Sequence, residues 1–144
     1  MDVVDEVDVL ASVVAELQTA LNRADRAMAE ELDVGSAEDL QVLRLLADEG
    51  PMRVGDLARR RWSSIATASA RLDRLDKRGL VARERTTDDR RAVLARLTPN
   101  GKRTAFNSRK QRSAALASVA TSFPVEDLRK LVDALDEPEP PVAP

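Results

Sequence analysis

The 144-residue sequence predicts a mainly α fold carrying one small β-hairpin. Apolar residues recur at threes and fours over most of the chain, the signature of amphipathic helices. Alternation of apolar with charged residues is confined to Leu80–Arg85 and Ala92–Leu97. The length is that of one domain large enough to bury a core without disulfides.

The elements follow in order. Val3, Val7, Leu10, Val14, Leu17, Leu21, Ala24, Met28 and Leu32 trace one long helix. At about 1.5 Å per residue it spans roughly 45 Å, more than a compact domain of this size covers with its own core. Part of its apolar stripe is therefore expected to meet another chain. Ser36 followed by Asp39 reads as a capping box opening a second, core helix with Leu40, Leu43, Leu45, Leu46 and Ala47, stopped by Gly50-Pro51. GDLARRR forms a short third helix facing inward through Leu57 and Ala58, with Arg53 in a poor capping position.

A fourth helix begins at a Ser63 or Ser64 cap and ends at Gly79, a good place for left-handed backbone. The two alternating runs pair as antiparallel strands around the turn TTDDRR. Thr98-Pro99 then starts a long, thinly apolar helix to about Ser122, carried by Ala105, Phe106, Leu116, Val119 and Ala120. Phe123-Pro124 interrupts it, and Leu128, Leu131, Val132 and Leu135 mark a last helix. The segment 137–144, EPEPPVAP, reads as a disordered proline-rich tail.

Composition excludes several functions. There is no cysteine and no histidine, which removes thiolate nucleophiles, disulfides, cysteine redox sensing and the commonest metal ligands. No catalytic residues, metal site or cofactor are expected. An enzyme would need a carboxylate pair in a pocket, and the acidic residues fall on solvated helix faces. No apolar run is long enough for a membrane span, and the acidic MDVVDEVDVL is unlike a secretory signal, so a cytoplasmic, nucleoid-associated protein is expected. The net charge of −2 hides a segregation: residues 1–52 balance at −10, residues 53–112 at +12 and residues 113–144 at −4. A basic middle between acidic ends suits a polyanion-binding module held in a scaffold that does not bind.

Helix, helix, helix and hairpin between residues 36 and 98 make a winged helix-turn-helix, in which the helix after the turn enters the DNA major groove and the hairpin tip the minor groove. At 100° per residue, Ile65, Ala68, Leu72, Leu75 and Gly79 share an arc of about 80°, the expected buried face. Ser63, Ala66, Thr67, Ala70, Arg74 and Lys77 lie opposite, with Ser64 and Arg71 on the flank. Small and hydroxyl residues, Ser69 among them, let a backbone sink into the groove and bond base edges or phosphates. Arg71 or Arg74 can bond guanine or clamp a phosphate. The same residues, alone, also fit an ordinary solvated helix face.

The hairpin favours DNA. A turn carrying Arg83, Arg85, Arg90 and Arg91 with no apolar residue at its tip has no packing reason to be so basic, and a minor groove attracts arginine-bearing loops. The alternative is that Asp88 and Asp89 simply neutralise Arg90 and Arg91.

The stretch Leu57–Lys102 closely resembles the DNA-binding region of MarR-family transcriptional regulators. The family pattern is matched by Arg74-Leu75-Asp76-Lys77-Arg78-Gly79-Leu80-Val81, Asp89-Arg90-Arg91 and Leu97-Thr98-Pro99-Asn100-Gly101. The resemblance covers nearly the whole chain. It implies one domain over 1–136, with residues 1–32 and 99–136 as dimerisation helices around the DNA-binding lobe at 36–98. It implies a homodimer, most simply a repressor, on a pseudo-palindromic double-stranded DNA operator. In the wing it implies that Arg91 enters the minor groove, Asp89 orients Arg91 by a salt bridge, and Arg90 and Arg74 touch phosphates or base edges. Many family members also bind small anions such as phenolics in a cleft that here would use the first, second and fifth helices; whether this chain has such an effector stays open.

Some slots depart from the family pattern. Trp62, the only tryptophan, stands where glycine is common and is expected to pack on the third helix, the alternative being the wall of a ligand pocket. Ala70 and Arg71 exchange the usual basic and apolar slots, which shifts base contacts towards Arg71. The rival reading is a winged-helix protein-interaction or scaffold module that does not bind DNA.

Overall fold

A computed structural model describes residues 2–61, 63–86, 93–122 and 124–136, with the side chains of residues 118–120 outside that description. The expectations for Trp62, for Asp88, Asp89, Arg90 and Arg91 at the wing tip, for Val119, Ala120 and Phe123, and for the 137–144 tail therefore lie outside the described residues. The elements are α1 (Val3–Glu31), α2 (Ala37–Glu49), β1 (Met52–Arg53), α3 (Val54–Arg60), α4 (Ile65–Lys77), β2 (Val81–Arg85), β3 (Val93–Leu97), α5 (Pro99–Ser122) and α6 (Val125–Asp136). They form two compact units that divide within α5, residues 1–109 and residues 110–144. Among the described residues, no helix is long and apolar enough to cross a membrane.

The core lies in the first unit. Met28 and Ala29 of α1, Leu40, Val42, Leu43 and Leu46 of α2, Leu57 and Ala58 of α3, Ala68, Leu72 and Leu75 of α4, Val81, Ala95 and Leu97 of the sheet and Ala105 of α5 are all buried. Helices at this spacing of apolar residues gain most of their stability from that shared burial rather than from intrinsic propensity. The rest of α1 stands outside it: Val3, Val7, Leu10 and Leu17 are each about half or more exposed.

The caps are where the sequence places them. Ser36 Oγ accepts the Asp39 amide at 3.1 Å and Ser64 Oγ that of Thr67 at 3.1 Å. Arg53 leads into α3 without a side-chain cap. Gly79 takes φ +72° just past the end of α4, and Thr98 Oγ1 accepts the Gly101 amide at 3.0 Å at the start of α5.

Five expectations are corrected. The hairpin belongs to a three-stranded antiparallel sheet in the order β1-β3-β2, because Met52 and Arg53 pair with Ala95 and Leu94. A two-residue strand is too short to show an alternating pattern. Ile65 is 61% exposed rather than buried, since the first turn of α4 overhangs the core, and Gly79 is also exposed. Ala47 of the core helix α2 is exposed as well. Asp39 gives its amide to the capping box, but its carboxylate turns to α4. Phe106, counted among the residues carrying α5, is 66% exposed.

Candidate nucleic-acid interface

Helix α4 carries most of the candidate residues. Its inner stripe, Ala68, Leu72 and Leu75, is at most 2% exposed, which fixes the rotation of the helix and turns Ala66, Thr67, Ala70, Arg74 and Lys77 outward. At the N-terminus Ser64 is spent on capping: besides accepting from the Thr67 amide, its hydroxyl donates to Thr67 Oγ1 at 2.9 Å. Ser63 is half-buried and its amide closes the preceding turn on Ala58 O at 2.9 Å. Ser69 is half-buried, its carbonyl accepting from Arg83.

The arginines of α4 are held by carboxylates from other elements. Arg74 donates from Nη2 and Nε to the two oxygens of Asp39 at 3.2 and 3.3 Å; Asp39 is almost wholly buried while Arg74 is half-exposed. This two-point fork binds α4 to the first turn of α2. Arg78 donates from Nη1 to the Asp33 carboxylate and to its backbone carbonyl, both at 2.9 Å, fastening the end of α4 to the loop after α1. Arg71 is half-buried beside Arg61, whose guanidinium is pushed below its usual value by burial and then by the Arg71 charge.

The root of the wing is bound to the same helix. Arg83 of β2 donates from Nη2 to Asp73 at 2.7 Å and to the Ser69 carbonyl at 3.2 Å. On the sheet, Glu84 pairs with Arg96 at 2.7 Å. Arg85 is exposed opposite Val93, the last described pair before the tip. Helix and wing root are therefore joined through Arg83, with Thr67, Arg74 and Arg85 exposed, Arg71 half-exposed and Ser63 and Ser69 set deeper.

Sequence reasoning missed Asp39, Asp73 and Asp33 as partners of these arginines. The pairs are separated by 35, 10 and 45 positions, so no local spacing rule announces them. It also missed the polar cluster where α1, α2 and α5 meet, the region an effector was expected to use. There Arg44 donates to Asp25 at 2.8 Å and to Ser108 Oγ at 2.7 Å, all three nearly buried, and Gln41 donates to Asp25 at 3.1 Å while accepting from Arg61.

Comparison with known proteins agrees with this architecture. Residues 36–93 match the model of the MarR family. The HTH-type transcriptional regulator YfiV of Bacillus subtilis is 38% identical over 68 residues, 47% of this chain and 42% of that protein, so the chain spans less than half the length of that relative. A MarR family protein from Bacillus stearothermophilus superposes with a TM-score of 0.82 at 26% identity, over 95% of this chain and 99% of the other. A mutant MarR from E. coli complexed with operator DNA has the same fold, with a TM-score of 0.75 at 20% identity over 95% and 100% of the two chains. Residues 36–93 are thus similar to the winged helix-turn-helix of the MarR family, and the chain shares the fold of solved members of that family.

Proposed function

We propose that the chain is a sequence-specific DNA-binding transcriptional regulator, a homodimeric repressor of a pseudo-palindromic operator, with α4 in the major groove and the wing in the minor groove. The observation that carries this reading is the Arg83–Asp73 contact. It ties an arginine-bearing wing root to α4, the arrangement a helix-and-wing reader requires. The DNA-bound relative of the same fold supports it. The exposed stripe of α1 supplies a surface for a second copy, and two copies would read the two halves of a palindrome.

Selection from random duplexes, followed by anisotropy titration at several salt concentrations, tests the reading. The expected result is one enriched palindromic sequence with half-sites about one helical turn apart, and an affinity falling by orders of magnitude from low to moderate salt as ~6–10 phosphate contacts are screened. A partner affinity indifferent to salt, with no enriched sequence, overturns it in favour of a scaffold module.

A further inference from the structure

We infer that α4 reads its half-site chiefly through the 5-methyl groups of thymine, with Ile65 as the principal reader, rather than through arginine–guanine pairing. The inference rests on the DNA-binding reading above and adds the chemistry of the base contacts.

Two independent observations carry it. Ile65, the first residue of the helix that would enter the groove, is 61% exposed. Ile65 stands clear of the core at the leading edge of the helix, and on the outward face of the same turn and a half Ala66, Thr67 and Ala70 are exposed. In the major groove, thymine offers the single apolar group on any base edge, and side chains ending in methyl groups complement it. The hydroxyl of Thr67 accepts from Ser64, which fixes its side chain, and its methyl group is exposed on the same face.

The second observation concerns the cations. Bidentate recognition of guanine needs an arginine fork free to extend. The Nε–Nη2 edge of Arg74 is engaged by buried Asp39, Arg78 is drawn back to Asp33, and Arg71 is half-buried beside Arg61. Arg74 also lies seven residues, about 10 Å along the axis, beyond Thr67. These three arginines are each held back by their own partners or by burial, while the leading turn exposes the methyl-bearing side chains of Ile65, Ala66 and Thr67.

The test uses the full chain and the operator recovered by selection, with each thymine of a half-site replaced in turn by uracil, which lacks only the methyl, and each guanine by 7-deazaguanine, which lacks the N7 acceptor. The expected result is a loss of about fourfold per critical methyl, equivalent to about 0.8 kcal/mol, at one or more thymines. Guanines under α4 are expected to show no comparable loss. Ile65→Ala, which removes an exposed side chain and leaves the fold intact, should abolish the difference between thymine and uracil at one position while circular dichroism and melting stay unchanged. An operator whose uracil forms bind as well as the parent, or an Ile65→Ala variant that keeps the full thymine preference, overturns the inference and leaves the DNA-binding reading standing. Failure to select any sequence overturns both.

Discussion

The backbone of α5 at Gly101 passes so close to the turn between α4 and β2 that a Cβ on Gly101 would lie 1.9 Å from the carbonyl oxygen of Leu80. The same oxygen accepts the Thr98 amide at 3.1 Å, and Thr98 Oγ1 donates to the neighbouring Gly79 carbonyl at 2.6 Å. The sequence LTPNG is thus a joint: threonine caps α5 and ties it to the turn after α4, and glycine permits the approach.

Gly101→Ala is therefore expected to force the two backbones apart and to destabilise the chain by about 3 kcal/mol or more, in the range of severe overpacking. Urea unfolding measures it. Gly55→Ala is the control, because nothing lies within 4 Å of a Cβ there and the residue is helical. It should leave stability unchanged or raise it by up to about 1 kcal/mol. Equal midpoints for the two variants would show that the joint opens at little cost.

How much of this was legible in the sequence differs by kind of interaction. Ser36, Ser64 and Thr98 announced their helix starts, and Gly79 the end of α4, because capping acts within a few residues and leaves a local pattern. The inner stripe of α4 was legible through Ala68, Leu72 and Leu75 because a helix has a fixed period. Ile65 was misplaced by the same rule: periodicity gives direction around an axis but not whether core lies beneath the first turn. The Arg74–Asp39 fork was not legible, since it depends on how α2 crosses α4. Arg74 was read as facing DNA from its position on the wheel, and its half-exposed guanidinium is at once on that face and held from behind.

Removing one side of that fork should show its coupling. Arg74→Ala leaves a carboxylate that is 1% exposed without its counter-charge, and a loss of about 2 kcal/mol is expected, below the usual 3–5 kcal/mol for a fully buried pair because Arg74 itself is half in solvent. Asp39→Asn in the Arg74→Ala background should recover part of that loss, since no uncompensated charge then remains. Strictly additive melting shifts across the double-mutant cycle would mean that the two side chains do not depend on each other.

On the proposed DNA-binding reading, Arg91→Ala is expected to weaken operator binding by at least about tenfold while the protein stays folded, the effect of removing an arginine from a minor-groove contact. The slope of log affinity against log salt should also become shallower, by about one phosphate contact per half-site if Arg91 meets the backbone and by less if it meets base edges. Arg85, exposed at the end of β2, gives the comparison: Arg85→Ala should change affinity more evenly across different sequences. Mobility shifts on operator and scrambled duplexes separate these outcomes, and unchanged affinity for Arg91→Ala would remove it from the proposed contact.

The first helix offers the last test. From Val3 to Val13, six large apolar side chains, Val3, Val4, Val7, Val9, Leu10 and Val13, are between 49% and 70% exposed, whereas Asp25, Met28 and Ala29 near its other end are buried. A continuous apolar stripe of this length in water favours association. The part of α1 packed into the core is its distal end, so deleting residues 1–14 should leave the melting of the winged helix-turn-helix lobe nearly unchanged. The dissociation constant of the proposed dimer should rise by about a hundredfold or more, because burial of several valines and a leucine is lost at roughly 1.5–3 kcal/mol for each fully covered side chain. Operator affinity should fall with it, since each half-site would then be bound by a separate chain. Sedimentation at nanomolar to micromolar concentration reads the association directly. A truncated protein that stays wholly dimeric at nanomolar concentration would assign the stripe to some other partner.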